Sequence, residues 1–385
     1  MSIDTLYYAK ATYWNSISHA YTISMRHSRS GLMFPRRITA IFTSSLVVCA
    51  LFWVYSCLNN ALIDQPSQKY FRWAVKSPLH TSTVHKLYRP YIHPITSTIF
   101  VGRTGKMFWL AEPLRFTKPL GKKILILDVD SRHLDGPKGV LSKAPLNATQ
   151  LPPDTSGRLN HFMFAMIHGY DYQLVQIPKT VGRSGTWTKV TAIKEALKHY
   201  KYVVFMDADS MMPYPNLPME WLFNYWEITP ETLVAMALDP DAPHNRDWNG
   251  RTFINTGFII AQQSPRTHEL FEAWENCPNE TRYPGCGRWG GEWPHEQSAF
   301  GSHVRYDFNR SEDIRVLSCA EANGCPEVAA TGCAGELVRH YWGDKSSLPA
   351  GAGDAVLQYF MPQLHGAFYH NSRTVVVNRT ERVFA

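Results

Sequence analysis

Asp207 and Asp209 stand one residue apart at the end of the apolar run Lys201-Tyr202-Val203-Val204-Phe205-Met206, and two carboxylates so placed suit a divalent cation. A Val/Phe-rich run of this length reads as a strand, whose alternating side chains put both acids on one side at its carboxyl end. Open α/β sheets bind ligands at that end. A hard cation takes oxygen ligands and shares them with a diphosphate, so the pair suits a metal-bridged nucleotide better than an all-protein cage. Two acids closing so apolar a run need a partner, because an unpaired buried charge is costly. The alternative is a solvated strand end before the turn-prone Pro213-Tyr214-Pro215.

Further groups lie up- and downstream. In Arg339-His340-Tyr341-Trp342-Gly343-Asp344-Lys345, His340 offers a nitrogen ligand. Gly343 permits close backbone approach, and Lys345 is a mobile point charge for a diphosphate. A second strand-end pair, Asp128-Val129-Asp130, closes Ile124-Leu125-Ile126-Leu127. Such a pair also opens haloacid-dehalogenase-type phosphatases, where the first Asp is the nucleophile. Those enzymes usually carry Thr two positions on, and Arg132 stands there.

The elements that must position these groups follow an order of strand, helix, strand, helix, strand. Ile124–Leu127 and Tyr172–Ile177 read as strands, Asn160–His168 as a helix, and Thr188–His199 as a helix with Val190, Ile193, Ala196 and Leu197 on one face. This order implies right-handed crossovers and a mostly parallel sheet flanked by helices, an α/β fold. Leu233–Leu238 and Phe253–Ala261 are further strands, and Arg266–Trp274 a helix. Residues 59–121 carry Pro66, Pro78, Pro90, Pro94 and Pro113 without sustained periodicity and read as a stem, so the globular domain is expected at 122–385.

The chain has 385 residues, 44% hydrophobic and 13% aromatic, enough for one sizeable core and an appendage. Its net charge is +7, and Lys10, Arg26, Arg29, Arg36 and Arg37 against Asp4 put more than half of that excess in residues 1–37. The rest shows no concentrated basic stripe, which argues against a nucleic-acid partner. No charged residue occurs between Arg37 and Asp64, and residues 38–58 are long and apolar enough for one membrane helix. The run starts too late for an ordinary cleaved signal, and the basic residues before it place 1–37 in the cytosol and the remainder in the lumen. The sequons at Asn147, Asn279, Asn309 and Asn378 all follow the span. Cys49 and Cys57 fall within it, while Cys277, Cys286, Cys319, Cys325 and Cys333 cluster downstream. An oxidising lumen would pair four of these five; zinc is the alternative, but no C-x-x-C occurs.

Taken together, the pieces resemble a nucleotide-sugar-dependent glycosyltransferase of the GT-A type, and more narrowly the fungal Golgi α-galactosyltransferase and α-1,6-mannosyltransferase family. They are Trp187-Thr188-Lys189, Tyr202 to Asp209, Phe253-Ile254-Asn255-Thr256-Gly257-Phe258, His295-Glu296-Gln297-Ser298, and His340 with Gly343 and Lys345. The resemblance implies Mn²⁺ (or Mg²⁺) on Asp207, Asp209 and His340, with Lys345 on the diphosphate. Asp128, Asp130, Lys189, Asp207, Asn255 and Gly343 would line the donor, UDP-galactose or GDP-mannose. Glu296 and Gln297 would sit by the anomeric carbon and a glycan or glycoprotein acceptor, and transfer would retain configuration. It further implies a single-pass type II Golgi membrane protein, with a multiprotein glycosyltransferase complex as a setting. His295 stands where relatives tend to carry a carboxylate, and Tyr341-Trp342 is bulkier than the pattern. Tyr283, Trp289 and Trp293 read as local core of a disulfide-rich loop ahead of a sugar platform. A catalytically silent luminal subunit is the competing function.

Overall fold

The computed structural model describes residues 79–375. The expected tail, membrane run, Cys49, Cys57 and the Asn378 sequon lie outside the described residues. Among the described residues no helix is long and apolar enough to cross a membrane.

In chain order the elements used below are α1 (Leu79–Tyr88), β1 (Ile99–Val101), β2 (Met107–Trp109), β3 (Ile124–Asp130), α2 (Pro153–His168), β4 (Asp171–Gln176), α3 (Thr188–Ala196), β5 (Tyr202–Met206) and β6 (Ser210–Met211). They continue with α4 (Met219–Tyr225), β7 (Val234–Leu238), β8 (Ile254–Gln262), α5 (Pro265–Glu275), α6 (Glu296–Ala299), β9 (Ile314–Leu317) and β10 (Arg339–His340). Six strands form one sheet in the order β4-β3-β5-β8-β7-β9. Only β8 runs against its neighbours; the β3/β4, β3/β5 and β7/β9 pairings are parallel. The α/β fold with a mostly parallel central sheet fits the GT-A type.

Strand alternation divides the core into two layers. Ile124, Ile126, Val204 and Met206 face one way and pack with Phe164 and Ala165 of α2. Leu125, Leu127, Val203 and Phe205 face the other and pack with Val190 and Ile193 of α3. Leaving β3, the chain runs through α2 to β4 on one side, then returns through α3 to β5 on the other. That reversal makes a crevice at the carboxyl ends of β3 and β5, where a ligand site belongs.

Helix α2 begins earlier than the expected Asn160, because Pro153 occupies its first position, where a missing N–H costs nothing, and Gly169 closes it at φ 72°. Residues 79–121 correct the expected stem boundary. Tyr88, Phe100, Phe108 and Leu110 are all under 9% exposed, and Phe100 packs edge-on against Tyr214 and Trp221. The β1–β2 hairpin there, with prolines only before and after it, packs onto the domain. Cys277–Cys286 and Cys319–Cys333 are disulfides, leaving Cys325 free and buried, so four of the five clustered cysteines pair as expected. Asn147, Asn279 and Asn309 are exposed.

Asp130 is a buried anchor between β3 and α2. Its carboxylate pairs with Arg158 and accepts from Arg132 Nη2 at 2.7 Å. Burial alone would raise its pKa, but the two guanidiniums outweigh that and hold it below its ordinary value. A depressed carboxylate stabilises the fold above its unfolded pKa, and that contribution disappears as pH falls through the depressed one. Asp130→Asn should therefore cost about 3 kcal/mol at pH ~7. The gap from wild type should narrow progressively as pH falls below the ordinary carboxylate range in urea titrations.

Candidate active site

The carboxylate pair converges by a turn rather than by the strand's pleat. β5 ends at Met206, and Ser210 N donates to Asp207 O at 2.8 Å, so Asp207 to Ser210 bend back on themselves. β6 then pairs antiparallel with β10, setting His340 opposite Ser210. Tyr341 N donates to Asp209 O at 2.9 Å, fixing the far segment against the turn. The consequence is a cluster in which one ligand atom each from Asp207, Asp209 and His340 lies within 4.8 Å of the others.

His340 Nε2 faces Asp209 Oδ1 at 3.4 Å and Asp207 Oδ2 at 3.9 Å, while Nδ1 lies 3.3 Å from Asn323 Oδ1. A metal-ligating imidazole is normally oriented in this way, through its second nitrogen. Trp342 Nε1 donates to the same Asn323 oxygen at 3.1 Å, which gives the bulky residue beside His340 a place. Two carboxylates and an imidazole are a donor set that suits a divalent cation.

Cations balance the acids. Lys189 Nζ lies 2.8 Å from Asp207 Oδ1 and 3.2 Å from Glu296 Oε1; Lys345 Nζ lies 2.7 Å from Asp209 Oδ2. Burial of Lys189 favours its neutral form, but Asp207 and Glu296 prevail and push its pKa up. Burial likewise works against ionised Asp209, yet His340 and Lys345 hold it well below the usual carboxylate range. Glu296 is buried, accepting from Thr256 Oγ1 at 3.0 Å, and its Oε2 is enclosed without a partner. Gln297, half-exposed, accepts from Thr256 N at 3.3 Å and donates to Asp239 Oδ2 at 2.6 Å.

Asp239 was not anticipated, although it closes the apolar run of β7 just as Asp207 closes β5. It also accepts from Asn255 Nδ2 at 2.8 Å and from Asn323 Nδ2 at 3.3 Å. One buried carboxylate therefore fixes the amides of Asn255, Gln297 and Asn323, and through Asn323 the ring of His340. Burial raises its pKa despite these donors.

Of the expected residues, Asp207, Asp209, His340, Lys189, Lys345, Asn255, Glu296 and Gln297 form one connected network. Gly343 lies in the exposed segment leading to Lys345. Asp128 and Asp130, expected at the nucleotide, are instead buried at 1% and 6% exposure and paired inside the fold. Asp128 faces His161 Nδ1 at 3.0 Å and accepts from Tyr172 at 2.7 Å; His161 Nε2 in turn lies 2.9 Å from Ser210 O. Asp128 thereby braces the turn after β5 from behind, its carboxylate enclosed between His161 and Tyr172.

Residues 180–342, under half of the chain, match the nucleotide-diphospho-sugar transferase family. No curated protein matches. Among solved structures the chain is similar to a glycosyltransferase involved in glycosylation of the major capsid of PBCV-1, at 15% identity and TM-score 0.43 over 60% of this chain and 98% of that one. Mouse xyloside xylosyltransferase 1 matches at 12% identity and TM-score 0.33, over 57% and 97% of the two chains. An active-site mutant of LgtC matches at 12% and 0.34, over 60% and 95%. Likeness at this level says nothing of substrate.

Gly257 explains how the ring of His340 fits: a Cβ there would stand 2.2 Å from His340 Cε1. Gly257→Ala should displace the imidazole and weaken Mn²⁺ binding about 10- to 100-fold by calorimetry. Unchanged affinity would remove His340 from the ligand set.

Proposed function

We propose that this protein is a metal-dependent hexosyltransferase that moves galactose or mannose from a UDP- or GDP-sugar to a glycan, with retention. The observation that carries this reading is the Asp207/Asp209/His340 cluster flanked by Lys189 and Lys345 at the carboxyl ends of the central strands. The family match over 180–342 supports the donor class. Mn²⁺ or Mg²⁺ suits the oxygen-rich ligand set. The uncharged run at 38–58 and the sequons that follow it support a luminal domain on a type II Golgi anchor, and such enzymes can work in multiprotein complexes.

In the reaction the bond from the sugar's C1 to the diphosphate oxygen breaks, a bond from C1 to an acceptor hydroxyl oxygen forms, and that hydroxyl's proton leaves with the diphosphate. The cation, when bound, supplies Lewis-acid stabilisation of the departing charge. Lys345, its side chain 61% exposed, is free to exchange Asp209 for a phosphate oxygen. Lys189 is not, being enclosed between Asp207 and Glu296. Its role is to hold Asp207 and Glu296 in place by pairing with both. Glu296 is held by Thr256 and Lys189, and the half-exposed Gln297 is the group we assign to the anomeric centre. An amide there orients charge without forming a stable glycosyl ester, which favours front-face attack over double displacement.

The test is turnover of a UDP- and GDP-sugar panel by the detergent-purified full chain, with Mn²⁺ and with chelator. Wild type should hydrolyse one nucleotide class only with metal, and Asp209→Asn should lose about 10³-fold or more in kcat. A folded wild type that turns over no nucleotide sugar sinks the proposal and favours a silent subunit.

A further inference from the structure

The loop that leads into α6 carries an indole the transfer site does not explain. Trp289 and Tyr283 are buried at 7% and 8%, as a local core requires, but Trp293 is 80% exposed, more open than Trp109 or Trp248 at 58% each. Single exposed apolar residues are ordinary. This one differs in place and in support. It stands three residues before Glu296, which limits the Cα separation to about 11 Å. Its single ring neighbour is His295, edge-on at 5.4 Å, and at this exposure a broad indole surface meets solvent.

The support is stiff. Cys277–Cys286 staples the loop, Trp187 Nε1 donates to Trp289 O at 3.0 Å, and Ser184 N donates to Gly290 O at 2.8 Å. His295, between Trp293 and the site, holds φ 59° and ψ −122°, a conformation that side-chain-bearing residues rarely adopt. Across from it, the loop that follows Asp239 is tied in as well: Trp248 packs 6.4 Å from Trp289 and 4.9 Å from His303, and Arg305 pairs with Asp247 at 2.7 Å. Both loops root in the Asp239–Gln297 hydrogen bond of 2.6 Å. An open indole on a braced loop beside the site is thus positioned rather than left over.

We propose that Trp293 is the stacking platform for the acceptor's pyranose, a subsite distinct from the donor pocket; this rests on the glycosyltransferase reading. A nucleotide diphosphate is recognised by charge, which the carboxylate cluster and Lys345 supply. A neutral sugar ring presents an apolar C–H face and a polar rim, and an indole matches the face at low entropic cost. Close by in sequence, Arg288 and Glu292 pair with each other at 2.6 Å, so the loop before Trp293 presents no unpaired charge from them to an uncharged glycan.

The experiment compares wild type, Trp293→Ala and Trp293→Phe as full chains in detergent. Donor hydrolysis without acceptor and transfer to a labelled pool of released N-glycans with terminal mannose and terminal galactose are followed in parallel. Trp293→Ala should raise the acceptor KM by about tenfold. Its donor KM and hydrolysis kcat should stay within about twofold of wild type. Trp293→Phe should recover most of the loss, since it keeps an aromatic face. Unchanged acceptor KM in Trp293→Ala overturns the platform, as does a parallel fall in hydrolysis, which would mark Trp293 as loop structure. Wild type that hydrolyses donor but glycosylates nothing in the pool also overturns it. Wild type inert toward every donor fails at the glycosyltransferase reading and removes the subsite with it.

Discussion

Lys189, 3% exposed, lies 2.8 Å from Asp207 and 3.2 Å from Glu296, and the arrangement of the whole crevice depends on that ammonium. Without a central cation, two carboxylates from distant parts of the chain would meet in a poorly hydrated space, where their repulsion is screened weakly. With it, the turn after β5 and the start of α6 are drawn to one point. The helix that delivers Lys189 is itself fixed by core contacts of Val190 and Ile193. Packing of an ordinary amphipathic helix thus sets the position of a charge. Lys189 also donates to Thr256 O at 3.2 Å, which adds β8 to the same centre.

Much of this was legible in the sequence, for a physical reason. A buried strand ending in an acid is an energetic contradiction that needs resolving, so Asp207 and Asp209 announce a partner; His340 and Lys345 were found as residues able to provide it. What the pattern misjudged was how the acids converge, since apolar alternation cannot show where a strand stops and a turn begins. Asp239 obeys the same rule at the end of β7 and went unread because no second acid marked it. For Asp128 and Asp130 the rule found strand ends correctly but not their use. Arg132 stands two residues from Asp130, but the partners that enclose the two acids, His161 for Asp128 and Arg158 for Asp130, lie about thirty residues away on α2, and nothing local in sequence pairs an acid with a base across that distance.

Short elements were the least legible. β6 and β10 have two residues each, and β9 four, below the length at which alternation carries information. Helix α4 spans only seven residues and is buried on nearly every side, Glu220 and Asn224 included, so its sequence is too short and too mixed to show a helical period. The segment before Lys122 misled in the other direction: its prolines suggested a spacer, whereas Phe100, Phe108 and Leu110 are core residues. Proline density reports backbone restriction, and a restricted backbone can pack as readily as it can extend.

The two lysines divide the crevice into halves with different duties. On the Lys189 side the ammonium is held within the protein by Asp207, Glu296 and Thr256 O, so rearrangement there would strand buried charge. On the other side Lys345 reaches Asp209 from an exposed segment that follows Gly343, and its side chain stays 61% open. An incoming polyanion can replace Asp209 as its partner at little desolvation cost, because that ammonium was never dehydrated. The crevice is therefore fixed on the Lys189 side and adaptable on the Lys345 side. The fold achieves this by placing one cation on a packed helix and the other on a surface turn.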